Sequence, residues 1–320
     1  MKTKKSTLFI FLGPAFLLYM FVFLYPTVRT TAMSLFQMSN VTTPISQWSF
    51  VGLDNFTKLF STPLFRISMI NIAKIWLFCG IAALGLAFLF AVLLVGGIKG
   101  KGIYRTIIYL PNVISGIAIG YMWLLYVFNN KFGLLAKVFH AIGLKGLAEI
   151  PWTSPSYIFT AMCVAYVFSS VGYYMLTYMA AIEGIPEDFY EAARLEGANR
   201  LHEMIYITFP LIASTVKSSL TLWSNKVIGF FALSLVFGGA TTITPMVYTY
   251  NALFGTEVSV ESNAGVAASS AVVMTVIMGL TRQYRPEVAV TGVEGWLGFS
   301  QMLSACSFVL LFFWFVTLLG

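Results

Sequence analysis

"GIPEDFYEAARLEGANRLHEMIYITFPLI", residues 184–212, is the longest charge-rich stretch of a chain that is otherwise almost wholly apolar. Gly184 and Ile185 leave one apolar run. Pro186 stands where a proline at the first helical position would, with Glu187 and Asp188 in the first turn. A fixed φ plus acidic charge at the positive end of the helix dipole starts a helix. "DFYEAARLE" propagates it with good formers, and Gly197 predicts its C-terminal stop. "NRLHEMIYITF" then resumes a helix, with Leu201, Met204, Ile205 and Phe209 near 3.6-residue spacing. Pro210 marks entry to the next apolar run. Ala192, Ala193 and Gly197 leave a low face that another backbone could approach closely. Two readings fit these residues equally: a helix that docks on a partner, or a solvated connector between two apolar runs.

The rest of the chain decides the setting. Of 320 residues, 58% are hydrophobic and only 10% charged, against roughly 25% charge in soluble domains. Such a chain belongs in a bilayer, where helices and closed barrels are the spanning solutions. The apolar runs are long and do not alternate, so helices are expected. The net charge of +7 comes from basic residues scattered at the ends of those runs. They read as topology markers and not as a nucleic-acid footprint. Cys79, Cys163 and Cys306 each lie inside an apolar run, far apart in sequence and without metal-ligand spacing, and read as buried free thiols.

Six runs follow in order. Residues 8–28 come after Lys2, Lys4 and Lys5. They are long for a signal sequence and lack a small-residue cleavage site, which predicts a first span with its N-terminus inside. Residues 67–98 end at Lys99, Lys101 and Arg105, a strong inside marker. Residues 106–128 contain Pro111. Residues 156–182 precede the charged insert, which therefore faces inside. Residues 210–237 form the fifth run and 265–280 the sixth, followed by Arg282 and Arg285. The segments 29–66, 129–155 and 238–262 read as outside loops. Residues 1–280 thus make an all-α, polytopic transmembrane bundle of six core spans, and 281–320 an atypical hydrophobic extension. Residues 296–319 carry no charge. They fit a seventh span, a sixth span beside a re-entrant 265–280, or an aberrant reading of the gene end. A membrane-embedded extra segment is the favoured of these, because an exposed apolar run of that length would aggregate.

Chemistry is scarce. No phosphate-binding G-x-x-x-x-G-K-[ST] loop and no G-x-S-x-G occur. His140 and His202 fall in loops on opposite sides. Lys74, Lys217 and Lys226 are the only ionisable candidates inside runs, so an ion-coupled carrier, which often places ionisable groups mid-membrane, is a lesser alternative.

The insert itself resembles the cytoplasmic EAA loop of ABC importer permeases. The family pattern is E-A-A, two residues, D-G-A, and then, nine residues after that alanine, I-x-x-P. This chain has Glu191-Ala192-Ala193, Glu196-Gly197-Ala198, and Ile207 to Pro210, departing only in Glu196 for Asp. "FVGLDNFTKLF", "YRTIIYLPNVISGIAIGYMWLLYVFNNKFGLL" and "IGFFALSLVFGGATT" are similar to the carbohydrate-importer branch, and the likeness runs over about residues 8–280. The resemblance implies a coupling helix that docks in a cleft on a cytoplasmic ABC ATPase dimer. That dimer would bind ATP and Mg and do the hydrolysis, so this chain would be no enzyme and hold no cofactor. It further implies a second, related permease subunit, an extracytoplasmic solute-binding protein that delivers a sugar, and a bacterial or archaeal cell membrane. A polyol or a phosphorylated glycerol is the alternative solute.

In that family the span before the coupling loop helps line the sugar path. Here it carries Tyr166, Ser169, Ser170 and Tyr173. Aromatic faces stack on sugar rings and hydroxyls exchange hydrogen bonds with them; helix packing and interfacial anchoring explain the same residues. The fifth run adds Asn225 and Lys226, and a lysine that deep calls for a wet path or snorkelling.

Overall fold

The computed structural model describes residues 5–129, 132–255 and 262–283. The regular structure among its described residues is helical apart from one two-stranded pair. Helix α1 (Lys5–Tyr19) passes through a π-helical stretch, Met20–Leu24, into α2 (Tyr25–Met33). The apolar part, Phe11–Met33, is 23 residues long, enough for a hydrocarbon core of about 30 Å. Strands β1 (Phe36–Gln37) and β2 (Ser49–Phe50) pair antiparallel, Phe36 opposite Phe50. Helix α3 (Asp54–Ser61) follows. Helix α4 (Pro63–Lys74) then runs through a second π stretch, Ile75–Cys79, into α5 (Gly80–Val95).

The chain forms two compact units, residues 70–243 and the segments on either side of it. In the flanking unit, α16 (Pro245–Phe254) and α17 (Ala264–Gln283) pack together, and α17 also packs on α2 and α3. Asn55, fully buried, donates through Nδ2 to the Ser34 and Phe36 carbonyls, both at 2.9 Å. Ser269 donates to the Gly265 carbonyl at 2.9 Å, one turn back. Thr249 Oγ1 and Ser270 Oγ lie 2.8 Å apart between α16 and α17. Residues 238–262, read from sequence as an outside loop, therefore contain a helix. Pro245 starts it, and Val247, Tyr248 and Leu253 bury its apolar face. Ten residues are too few to register as a span.

Unit 70–243 is built on α5 against α10 (Ile158–Glu183). Ile75, Cys79, Ala83, Ala87 and Ala91 recur every fourth residue and are all buried. The small side chains of Cys79, Ala83, Ala87 and Ala91 let the two backbones approach, the usual basis of helix association in lipid. Between these helices lie α6 (Lys101–Val113), α7 (Gly116–Met122) with a π stretch Trp123–Val127, α8 (Leu134–Ala141) and α9 (Lys145–Ala148). After α10 come α11 (Asp188–Leu195), α12 (Arg200–His202), a π stretch Glu203–Thr208, α13 (Phe209–Leu211), α14 (Ala213–Ile228) and α15 (Ala232–Phe237). α10 crosses α6 at Gly172, where a Cβ would run into the Ile108 carbonyl and sit 2.7 Å from Tyr109 Cα. Trp223, fully buried, donates through Nε1 to the Trp76 carbonyl at 2.9 Å, and Trp76 Nε1 donates to Ser224 Oγ at 2.8 Å.

Four described helical stretches are long and apolar enough to cross a membrane, and the run read as the third span is a pair of helices bent by 101°. Ile114 and Ser115 are extended at the break, and Ser115 Oγ caps α7 by accepting from Ala118 N at 3.2 Å. The run's unbroken apolarity hid this bend. The fifth run also breaks, at 229–231, between α14 and α15. Phe11, Phe21, Phe78, Ile81, Ile103 and Ile107 stand exposed, a surface suited to lipid or an apolar partner. The extension read over 281–320 lies, beyond the end of α17, outside the described residues, as do Lys131 and Cys306.

Candidate functional site

The charged insert folds as the local sequence asks. Phe189 N bonds the Pro186 carbonyl at 3.3 Å and Tyr190 N the Glu187 carbonyl at 2.8 Å, so the helix opens on Pro186 with acids in its first turn. It closes on Gly197, whose φ is +82°. Gly197 N bonds the Arg194 carbonyl at 3.0 Å and Ala198 N the Ala193 carbonyl at 2.9 Å, the paired bonds of a Schellman cap. Asn199 then caps the next helix, its Oδ1 accepting from His202 N at 3.0 Å.

Glu191, Ala192, Glu196, Gly197 and Pro210 are exposed, while Ala193, Ala198 and Ile207 are half-buried. Phe189 and Leu195 add exposed apolar area on the same short helix, Leu195 being 89% accessible. Sequence reasoning missed the clamp that stiffens this loop. Arg194 donates from Nε to Glu203 at 2.8 Å and from NH1 to Glu187 at 3.1 Å. Glu203 foremost, then Glu187, hold the guanidinium above its ordinary pKa range. Tyr190 Oη and Thr208 Oγ1, 3.1 Å apart, tie α11 to the following π stretch. Arg194–Glu203 and Tyr190–Thr208 cross the turn after α11, and Arg194–Glu187 spans seven residues along it, so helical i, i+4 spacing reveals none of them.

A second candidate site lies inside unit 70–243. A cavity of about 290 Å³ is lined by Tyr166, Ser169 and Lys226. The α6–α7 bend contributes Pro111, Asn112 and Gly116, and the α14–α15 break contributes Gly229 and Phe230. Tyr166 is buried, its ring 4.5 Å from Phe230 and 5.2 Å from Trp223. Its hydroxyl has no hydrogen-bond partner among the described residues. Lys226 Nζ donates to Ser170 Oγ at 3.2 Å and sits 5.6 Å from the centre of the Tyr166 ring. Ser170 is fully buried beside it. Tyr173 is 39% exposed and Asn225 is buried, and neither lines the cavity. Pro111, and Ser115 as a residue type that caps helices, are the signals by which the sequence could have pointed to this bend.

Among the described residues no cluster of three or more potential metal ligands occurs. Cys79 and Cys163, distant in sequence, are brought within side-chain hydrogen-bond reach of each other.

Comparisons with known proteins bear on the fold and the family. NgcF, the diacetylchitobiose uptake system permease protein of Streptomyces coelicolor, is 33% identical over 182 residues, which are 54% of this chain and 51% of NgcF. The match thus spans about half of that relative. UgpA, the sn-glycerol-3-phosphate transport system permease protein of Brucella abortus biovar 1, is 30% identical over 73% of this chain and 78% of its own length. A bacterial alginate ABC transporter, solved in complex with an alginate pentasaccharide-bound periplasmic protein, contains a chain of the same fold. It superposes with a TM-score of 0.70 at 20% identity, covering 90% of this chain and 96% of that one. Residues 83–290, the stretch that holds both candidate sites, match the family model for such components. This chain belongs to the family of inner membrane components of binding-protein-dependent transport systems.

Proposed function

We propose that this chain is the translocating subunit of an ATP-driven sugar importer and that α11 is its lever on a separate cytoplasmic ATPase dimer. The observation that carries this reading is the build of the insert. It is a stiff helix, clamped by Arg194 to both its own start and the helix leading into α14, that leaves Phe189, Ala192 and Leu195 uncovered. A polar loop that exposes apolar and small residues on an internally bonded helix suits a cleft on a partner. Glu191 and Glu196 supply rim charge, and Ile207 and Pro210 set the angle at which the next helix enters the membrane.

ATP and Mg would sit on the ATPase and not on this chain. Closure of that dimer would displace α11, and the clamp would pass the displacement to α14. A second permease subunit would complete the bundle, and an extracytoplasmic binding protein would deliver solute to the outer loops. The N-terminus would be cytoplasmic, in a bacterial or archaeal plasma membrane. Sugar is favoured because NgcF is named for a disaccharide and the alginate transporter for a polysaccharide. The cavity at Tyr166, Ser169 and Lys226 would belong to the route. Its aromatic ring and hydroxyls are groups that recognise sugars.

The test is co-purification. The genes beside this one would be expressed with it, and the ATPase retained on the tagged permease measured. Glu191→Lys is expected to lose most of the ATPase and the uptake while membrane insertion stays normal. Full retention of both would refute the docking assignment.

A further inference from the structure

Lys226 is a cation without a counter-charge. It lies 13 residues into α14, about 20 Å along the helix at 1.5 Å per residue. An ammonium inside a spanning segment is destabilising unless it is paired, wet or able to snorkel. The three ion pairs found among the described residues are Lys101–Glu183, Arg194–Glu187 and Arg194–Glu203, none of which involves it. Within residues 70–243 every acidic residue is Glu149 or falls in 183–203, so the helices lining the cavity hold no carboxylate beside it. Its neighbours are neutral: Ser170 Oγ at 3.2 Å and the face of Tyr166. Beside it, the buried Tyr166 hydroxyl waits without a partner among the described residues.

We propose that this cavity receives a solute bearing an anionic group, a carboxylate or a phosphate, and that Lys226 is the counter-charge that selects it. The inference rests on reading the cavity as part of the solute route. A neutral sugar needs only hydroxyl and aromatic partners, which Tyr166 and Ser169 already supply. The ammonium adds the one group that an oxyanion uses better than a hydroxyl does, a charge-assisted donor. The Tyr166 hydroxyl gives a second donor to the same oxyanion or an acceptor to a sugar hydroxyl. Serine and the aromatic face hold the ammonium between turnovers without neutralising it. A built-in carboxylate would neutralise it.

The experiment uses the assembled complex of both permease subunits and the ATPase in detergent, without the binding protein, whose own selectivity would obscure the cavity's. Calorimetric titrations compare a neutral disaccharide, a uronic-acid disaccharide of the same size, and a hexose phosphate. The intact complex is expected to bind at least one of the anionic probes about tenfold more tightly than the neutral one, the effect of a single charged hydrogen bond. Whether the uronate or the phosphate gains more tells carboxylate from phosphate. Lys226→Met removes the preference and Lys226→Arg keeps most of it. Equal affinity for all three probes, failure of all three to bind, or a preference that survives Lys226→Met overturns the proposal. The route reading is judged separately. A lone cysteine at Ser169 that never reacts with a water-borne thiol reagent, with or without nucleotide, refutes the route. A cysteine that reacts alongside equal affinities refutes the anion preference alone.

Discussion

Replacing Gly197 by alanine changes backbone energy and almost nothing else. The residue sits at φ +82° with no atom within 4 Å of where a Cβ would be, so no collision arises. An L-residue held in the left-handed region costs about 1–2 kcal/mol. The loop is exposed, so the chain can relieve this strain by breaking the two capping bonds, at 3.0 and 2.9 Å, that end α11. Frayed, the loop no longer presents one stiff shape, and the strain must be repaid whenever the helix docks. A penalty of 1–2 kcal/mol corresponds to about 5- to 30-fold in affinity. Titrating the purified ATPase onto nanodisc-embedded permease should show a weakening of that size, with normal insertion and yield. Asparagine tolerates the left-handed region better, so Gly197→Asn should recover part of the loss. Wild-type affinity in the alanine variant, or an equal loss in both variants, would refute the reasoning, because then backbone conformation at 197 is not what sets docking.

Two further outcomes test the coupling and the packing. Arg194→Met and Glu203→Gln should each lower uptake a fewfold while ATPase binding persists, and their effects should overlap in the double variant. The pair is half-exposed on the arginine side, so solvent screening keeps its contribution to stability small; fully additive losses would show that the clamp does not transmit motion. Gly172→Ala should reduce the yield of folded permease, because its methyl meets the α6 backbone at Ile108 and Tyr109 and overpacking of this kind costs about 1–3 kcal/mol. Unchanged yield and thermal stability by size-exclusion assay would contradict the close crossing.

Membrane character, the rough order of apolar runs and the start and stop of α11 were legible in the chain itself. Each depends on local information: length of an apolar run, proline and acid at a helix start, glycine at its end. The Gly197 stop is a single-residue backbone preference, so it survives any tertiary context. What the sequence did not show is where a helix breaks inside an unbroken apolar run. Residues 106–128 read as one span because hydropathy carries no bend. The 101° turn at Ile114 and Ser115 depends on α7 having α15 to pack on, with Gly116 against Ala232 and Gly120 against Val236. The cavity follows from that bend, since Asn112 and Gly116 reach Lys226 only once α6 and α7 part. Ala83, Ala87 and Ala91 recur every fourth residue, but only α10 decides what that face meets. The Arg194 clamp likewise needed the turn at 196–199 to bring Glu203 back beside α11. Periodicity along one element is written in the sequence, whereas contacts across a turn or between distant helices are chosen by packing the whole bundle.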